Sequence, residues 1–201
     1  MAMADKVMDR RIARTRGTLQ RALSSLILTK GYDAITVDDI CETANVGRST
    51  FYSHFTSKDD LKRRGLDEHL RELLADRRRN APAPGDLKDR HLAFSLPLFE
   101  HARDHLDLYR ALAGSRGGGV SLGAIRQIVS DLVREEIADN ADRNPGDVIP
   151  RDVVVTYVVG AYMALLTWWL DGGAKLPPQR MDGMFRQLAT EGIMPPDSEE
   201  R

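Results

Sequence analysis

The residues best suited to chemistry lie in one short run, Arg48-Ser49-Thr50-Phe51-Tyr52-Ser53-His54-Phe55. Phe51 and Phe55 are four apart, so on a helix they share one face and point into a core. Ser49, Tyr52 and Ser53 then point outward, with Arg48, Thr50 and His54 on the flanks. A guanidinium, an imidazole, a phenol and several hydroxyls on one outward face suit phosphate oxygens and base edges. The same pattern also describes an ordinary helical hairpin, and the flanking residues favour the first reading.

Those side chains need a short helix held from behind, and the neighbouring residues supply one. Thr36 can cap a preceding helix, with Asp39 three residues on in a capping-box-like arrangement. Val37, Ile40 and Cys41 fall at i, i+3 and i+4, so they share its buried face. Asn45-Val46-Gly47 supplies a turn whose Asn and Gly tolerate positive φ. Gly31 ends an earlier helix carrying Ile12, Leu19, Leu23, Leu26 and Ile27 at helical spacing. Ser57 can cap a further helix, with Asp60 three residues on. Lys58 would then lie at a helix N-terminus, which disfavours a cation unless an anion such as phosphate is near.

The segment Thr36 to Leu61, and above all the run Gly47 to Lys58, closely resembles the DNA-binding domain of the tetracycline-repressor (TetR/AcrR) family. The resemblance in motif covers about the first third of the chain; the rest matches in length and helical layout. It implies a homodimeric, ligand-responsive transcriptional regulator, most often a repressor released from a near-palindromic double-stranded DNA operator by a small molecule. Carried over by position, Thr36, Thr50, Tyr52, His54 and Lys58 match residues that commonly face the DNA backbone. Arg48 and Ser49 match residues that commonly meet base edges, and Tyr52 is able to do either. The resemblance carries no effector, because the body is where members differ most.

Charge is distributed in keeping with such a head. Residues 1–64 hold 12 Lys/Arg and 8 Asp/Glu, net +4, and residues 65–201 are net −5. Whole-chain net charge is −1, so this is not a nucleic-acid-binding polycation. Arg10, Arg11, Arg14 and Arg16 crowd the first helix; a solvated face is the first reading and nonspecific phosphate contact the second. Cys41 is the single cysteine, so no internal disulfide is expected, and its place on an inner face makes it a structural thiol. No apolar segment of signal-peptide type is visible near Met1, and the chain reads as cytoplasmic.

Downstream, the pattern is all-α: an N-terminal three-helix DNA-binding domain at 1–57 and a helical ligand-binding and dimerisation domain at 58–201, about nine helices in all. Residues 1–9 read as a frayed arm, and Gly114 to Gly119 as a flexible loop. A helix over 86–102 would be kinked by Pro97, and Asn144 to Asp147 form a turn. Val153 to Leu170 is 18 residues without a charge, at the edge of transmembrane length, and is read as a helix buried on all sides with help from a partner chain. With the Met181, Met184, Phe185, Leu188 and Ile193 stripe that follows, it would form the homodimer interface. Pocket material lies in Phe94, Phe99, Tyr109, Tyr162, Met163 and Trp168, which suit an apolar small molecule as well as plain core packing.

No enzyme is expected: there is no phosphate loop, nucleophile elbow or paired-carboxylate signature, hence no catalytic residue and no cofactor. His101 and His105 have metal-ligand spacing, but two solvated histidines are the favoured reading and no metal is expected. The alternative to a regulator is an all-α small-molecule or metal-binding protein with a vestigial DNA-binding head.

Overall fold

The computed structural model describes residues 2–80, 91–141 and 149–192. The described residues form nine helices and no strand. In chain order these are α1 (Ala2–Lys30), α2 (Val37–Ala44), α3 (Arg48–His54), α4 (Lys58–Asn80), α5 (Ser95–Asp104), α6 (Leu106–Leu112), α7 (Arg116–Ala141), α8 (Arg151–Asp171) and α9 (Pro178–Thr190). The expected all-α fold is therefore what the chain adopts.

Packing divides the chain into two compact units. The first is Met1–His69 with Asp107–Ile125, and the second is Leu70–Leu106 with Arg126–Arg201. This grouping differs from a cut at residue 57, because α4 and α7 each begin in the first unit and continue into the second.

The first unit is built on one apolar cluster. Leu19, Leu23 and Ile27 of α1, Ile40 and Cys41 of α2, Phe51 of α3, Phe55 and Leu61 are all nearly inaccessible, and Leu112 of α6 belongs to the same cluster. A seven-residue helix such as α3 is too short to persist alone, so this cluster is what holds it. Gly31 ends α1 at φ 76, where its amide donates to the Ile27 carbonyl at 3.2 Å.

In the second unit α5 packs on α8 and α9. The Phe99 and Tyr162 rings lie 4.9 Å apart, Tyr162 and Phe185 5.3 Å, and Phe99 and Trp169 5.6 Å. The Trp169 indole donates to the Leu176 carbonyl at 3.0 Å, which ties the α8–α9 turn to the helix it leaves.

Several expectations need correction. Residues 2–9 are helical, not a frayed arm; no Gly or Pro interrupts the chain before Gly17, and Ala, Met and Lys are good helix formers. The glycines 117–119 lie inside α7, which begins at Arg116, not in a flexible loop. Pro97 sits in the first turn of α5, where its missing amide costs no hydrogen bond, so it does not kink a longer helix. The expected turn at 144–147 lies outside the described residues, as does Ile193. Helix α8 buries Val155, Val158, Val159, Tyr162, Met163, Leu166, Trp169 and Leu170. Its other face is open within the single chain: Val153 and Tyr157 are 54% exposed and Trp168 62%. It is the one described helix with the length and composition of a membrane span, and one of its faces is packed within the fold.

Candidate nucleic-acid interface

Helix α2 starts where Thr36 caps it. The Thr36 hydroxyl accepts from the Asp39 amide at 3.2 Å, and the Asp39 carboxylate accepts from the Thr36 amide at 2.7 Å, so the capping box is complete. The Lys30 ammonium donates to the same carboxylate at 2.7 Å. With Lys30 first and Thr36 next, these contacts hold the Asp39 carboxyl down to about 2.

Between α2 and α3, Asn45 takes the left-handed conformation at φ 53, and the Val46 amide donates to the Cys41 carbonyl at 3.0 Å. Only Asn45 uses positive φ; Gly47 is extended at φ −74 and caps α3 with no side chain. Burial pushes the Cys41 thiol up, in keeping with a structural role.

Phe51 and Phe55 anchor α3 with ring centroids 6.0 Å apart, both inside the core. Their burial turns Arg48, Ser49, Tyr52 and Ser53 outward into solvent, while Thr50 and His54 are half-buried at the edges. The Arg48 guanidinium meets the Asp38 carboxylate at 3.2 Å, and both side chains are about two-thirds exposed. Hydrogen bonding to Tyr52, and then the charge of Asp38, favour its cationic form further. The Ser53 hydroxyl is turned back onto the Thr50 carbonyl at 2.8 Å.

Two residues expected at the DNA backbone are already engaged. Thr36 is exposed, but its hydroxyl serves the cap. The Lys58 ammonium donates to the carbonyls of Tyr32, Asp33 and Ile35 at 2.8, 3.3 and 2.7 Å and lies 4.7 Å from the Tyr32 ring centroid. It therefore clamps the α1–α2 loop. The carbonyls, rather than the phosphate expected from sequence, offset the unfavourable placement of a cation at a helix N-terminus. Asp60 caps the same end of α4: its amide donates to the Ser57 hydroxyl at 3.1 Å, and its carboxylate accepts from the Thr56 amide at 3.1 Å. Arg16, read as part of a solvated or phosphate-facing cluster, is paired with Glu68 at 3.2 Å.

In the second unit, Phe94, Phe99 and Tyr162 come together, with Phe94 5.8 Å from Tyr162. Met163 is buried on the same helix. Trp168 is not among these rings; it lies on the open face of α8, and its neighbour Trp169 takes the place against Phe99. Tyr109 belongs to the first unit and is half-buried there. Phe185, read only as part of a dimer stripe, is fully buried against Tyr162 and Phe94. The helical phase of α8 puts 162 and 169 on one side and 168 on the other, a signal present in the sequence.

The Tyr162 hydroxyl is fully buried and meets no hydrogen-bond partner among the described residues. Burial first, and the Asp182 carboxylate second, raise it well above the ordinary phenol range, so it stays protonated. Asp182 itself takes the Arg186 guanidinium at 3.0 Å and a short hydrogen bond from the buried Ser95 hydroxyl. His101 and His105 stack with centroids 4.1 Å apart, and the His105 Nδ1 lies 2.9 Å from the His101 carbonyl. His91 pairs with Glu136 at 2.9 Å.

A short helix held by two phenylalanines, presenting arginine and hydroxyls after a tight turn, in an all-α chain, is the architecture of a helix-turn-helix regulator. Residues 19–64 match the family model for bacterial regulatory proteins of the tetR family, and residues 90–191 match a model for a transcriptional regulator C-terminal region. The chain belongs to the TetR family. It is 25% identical over 185 residues to the HTH-type transcriptional regulator YxbF of Bacillus subtilis, covering 92% of this chain and 47% of that protein. It is 29% identical over 97 residues to the HTH-type transcriptional activator FasR of Mycolicibacterium smegmatis, covering 48% of this chain and 44% of that one. A solved structure from Syntrophomonas wolfei classed with the TetR-family regulators superposes with a TM-score of 0.70 at 17% identity, covering 93% of this chain and 99% of the other. The chain spans about half the length of the curated relatives it matches.

Proposed function

We propose that this chain is a cytoplasmic transcriptional regulator that binds a near-palindromic DNA operator as a homodimer and is released by a small, largely apolar effector. The observation that carries this reading is the outward row of α3. Arg48, Ser49 and Tyr52 are exposed on a helix whose opposite side is locked into the core, at the positions the family uses to meet DNA. In this reading Arg48 and Ser49 meet base edges, and Thr50, Tyr52 and His54 meet phosphates. Thr36 does so only through what its cap leaves accessible, and Lys58 acts by fixing the loop. Repression is the sign we assign; the relative FasR is an activator, so the sign is a separate measurement.

The effector site we assign is the aromatic cluster of the second unit, with Phe94, Phe99, Tyr162 and Met163 and without Trp168. An unpartnered buried hydroxyl is costly, on the order of 1–3 kcal/mol. An effector with one oxygen acceptor for Tyr162 would offset that cost. The dimer interface we assign is the open face of α8 with Leu188 of α9, which supports a second copy as the missing cover.

Enrichment of duplexes from a random pool by the full chain tests the central part. We expect a near-palindrome whose binding weakens steeply as salt rises. Retention of no duplex, or equal retention of all duplexes, would contradict the reading and favour a binding protein with a vestigial head.

A further inference from the structure

We propose that the first turn of α7, through Arg116 and Gly117, is a positioning element of the DNA-reading head. It fixes the corner at Tyr32 between α1 and α2, and with it the angle at which α2 and α3 are presented. The proposal rests on the DNA-binding reading above and adds to it residues far outside the stretch matched by the family's head model, which ends at residue 64.

Four pieces of chain meet at Tyr32, all inside the first compact unit. The Tyr32 side chain is 1% exposed. Its hydroxyl donates to one oxygen of Asp59 at 2.5 Å, and the other oxygen of Asp59 takes the Arg116 guanidinium at 2.7 Å. The Arg116 amide donates to the Asp33 carboxylate at 3.3 Å, one residue beyond Tyr32. The Lys58 ammonium holds the carbonyls on both sides of the corner, the last of them Ile35, immediately before the cap of α2.

The approach of α7 to this corner is too close for a side chain. A Cβ on Gly117 would lie 2.5 Å from Tyr32 Cγ and 2.6 Å from Leu112 Cδ2. One on Gly118 would lie 2.7 Å from the Leu112 carbonyl oxygen. Glycine is the poorest ordinary helix former, so three of them in the first turn of a 26-residue helix need a reason, and for Gly117 and Gly118 that reason is the close approach to Tyr32 and Leu112. Arg116 is likewise misplaced for a helix N-terminus on dipole grounds, and the Asp59 carboxylate compensates it. An exposed ion pair alone would contribute little. Here the carboxylate is three-quarters covered and shared with a buried phenol, so loss of Arg116 is felt at Tyr32.

The test uses the full chain and the duplex it enriches from a random pool. Arg116→Ala, Asp59→Asn and Tyr32→Phe should each weaken that duplex about tenfold. The Arg116→Ala/Asp59→Asn double variant should be no worse than the singles, because neighbours in one network are non-additive. The salt slope should stay that of the parent in every variant. A slope reduced by about one charge in Arg116→Ala alone would mean that Arg116 touches a phosphate, and would overturn the proposal. So would a lower thermal midpoint with unchanged duplex affinity, which marks a purely structural contact. A second arm needs no DNA: amide hydrogen exchange should quicken in Arg116→Ala at residues 33–40 and 48–55 and stay unchanged at residues 155–170. Unchanged exchange throughout would overturn the proposal even where the parent enriches no duplex, an outcome that by itself counts only against the DNA-binding reading.

Discussion

Arg48 sits where two partners compete. In the free protein its guanidinium leans on Asp38 at 3.2 Å, and in a DNA complex a guanine edge would offer a bidentate acceptor in its place. The exposed ion pair is weak enough to exchange. Arg48→Ala should therefore cost about 1–3 kcal/mol of operator binding and relax base preference at one position per half-site. Competition with single-base operator variants reads this, and an equal loss on every variant would argue for a backbone contact instead. Asp39 gives a pH prediction. Its folded value, about 2, lies below the unfolded value of about 3.9, so the unfolded chain binds the proton more tightly. Its contribution is fully present above pH ~4 and is lost as pH falls towards ~2. Asp39→Ala should lower the urea midpoint at pH 5 and converge on the parent near pH 2; a gap that stays constant over that range would speak against the Lys30–Asp39–Thr36 arrangement.

The helices near α3 were legible because their signals are local. A cap at Thr36, an Asn in left-handed conformation and two phenylalanines four apart mark the bounds and the inner face of α2 and α3 in the local sequence, although the cluster with α1 is what holds α3. The start of α7 was not legible. Three consecutive glycines argue for a loop by propensity, and the close approach of Gly117 to Tyr32, 85 residues earlier in sequence, is a contact that no local pattern shows. Lys58 differs for a related reason: a cation at a helix N-terminus suggests an anion, whereas the carbonyls it meets come from a loop folded over it. On α8 the sequence separates the two rows by helical phase but does not say which row faces the core, because a helix apolar all round shows no polar stripe. The structure separates a packed row from an open row of Val153, Tyr157 and Trp168. Trp168→Glu should accordingly leave helical content unchanged and shift the protein towards monomer by sedimentation velocity. A variant as fully associated as the parent would remove this face from the proposed interface.

On the scale of the whole molecule, the proposed pair of symmetric heads with one effector site per chain would make binding of DNA and effector mutually dependent. An effector that releases operator with a coupling of about 1–3 kcal/mol must itself bind more weakly, by the same factor, when operator is present. Tyr162→Phe then separates oxygenated from purely hydrocarbon effectors: by calorimetry, affinity should fall about fivefold for 2-naphthol and stay unchanged for naphthalene, in line with about 1 kcal/mol for a neutral hydrogen bond. Equal losses for both would place the hydroxyl outside the site. The two-fold arrangement is the claim on which the rest depends, since an isologous dimer requires an operator with matching symmetry. Sedimentation equilibrium of the full chain with its enriched duplex tests it most directly. An even number of 22.5 kDa chains per duplex is expected, with half-site centres about one helical turn apart or slightly more. A single chain on a duplex without symmetry would contradict it.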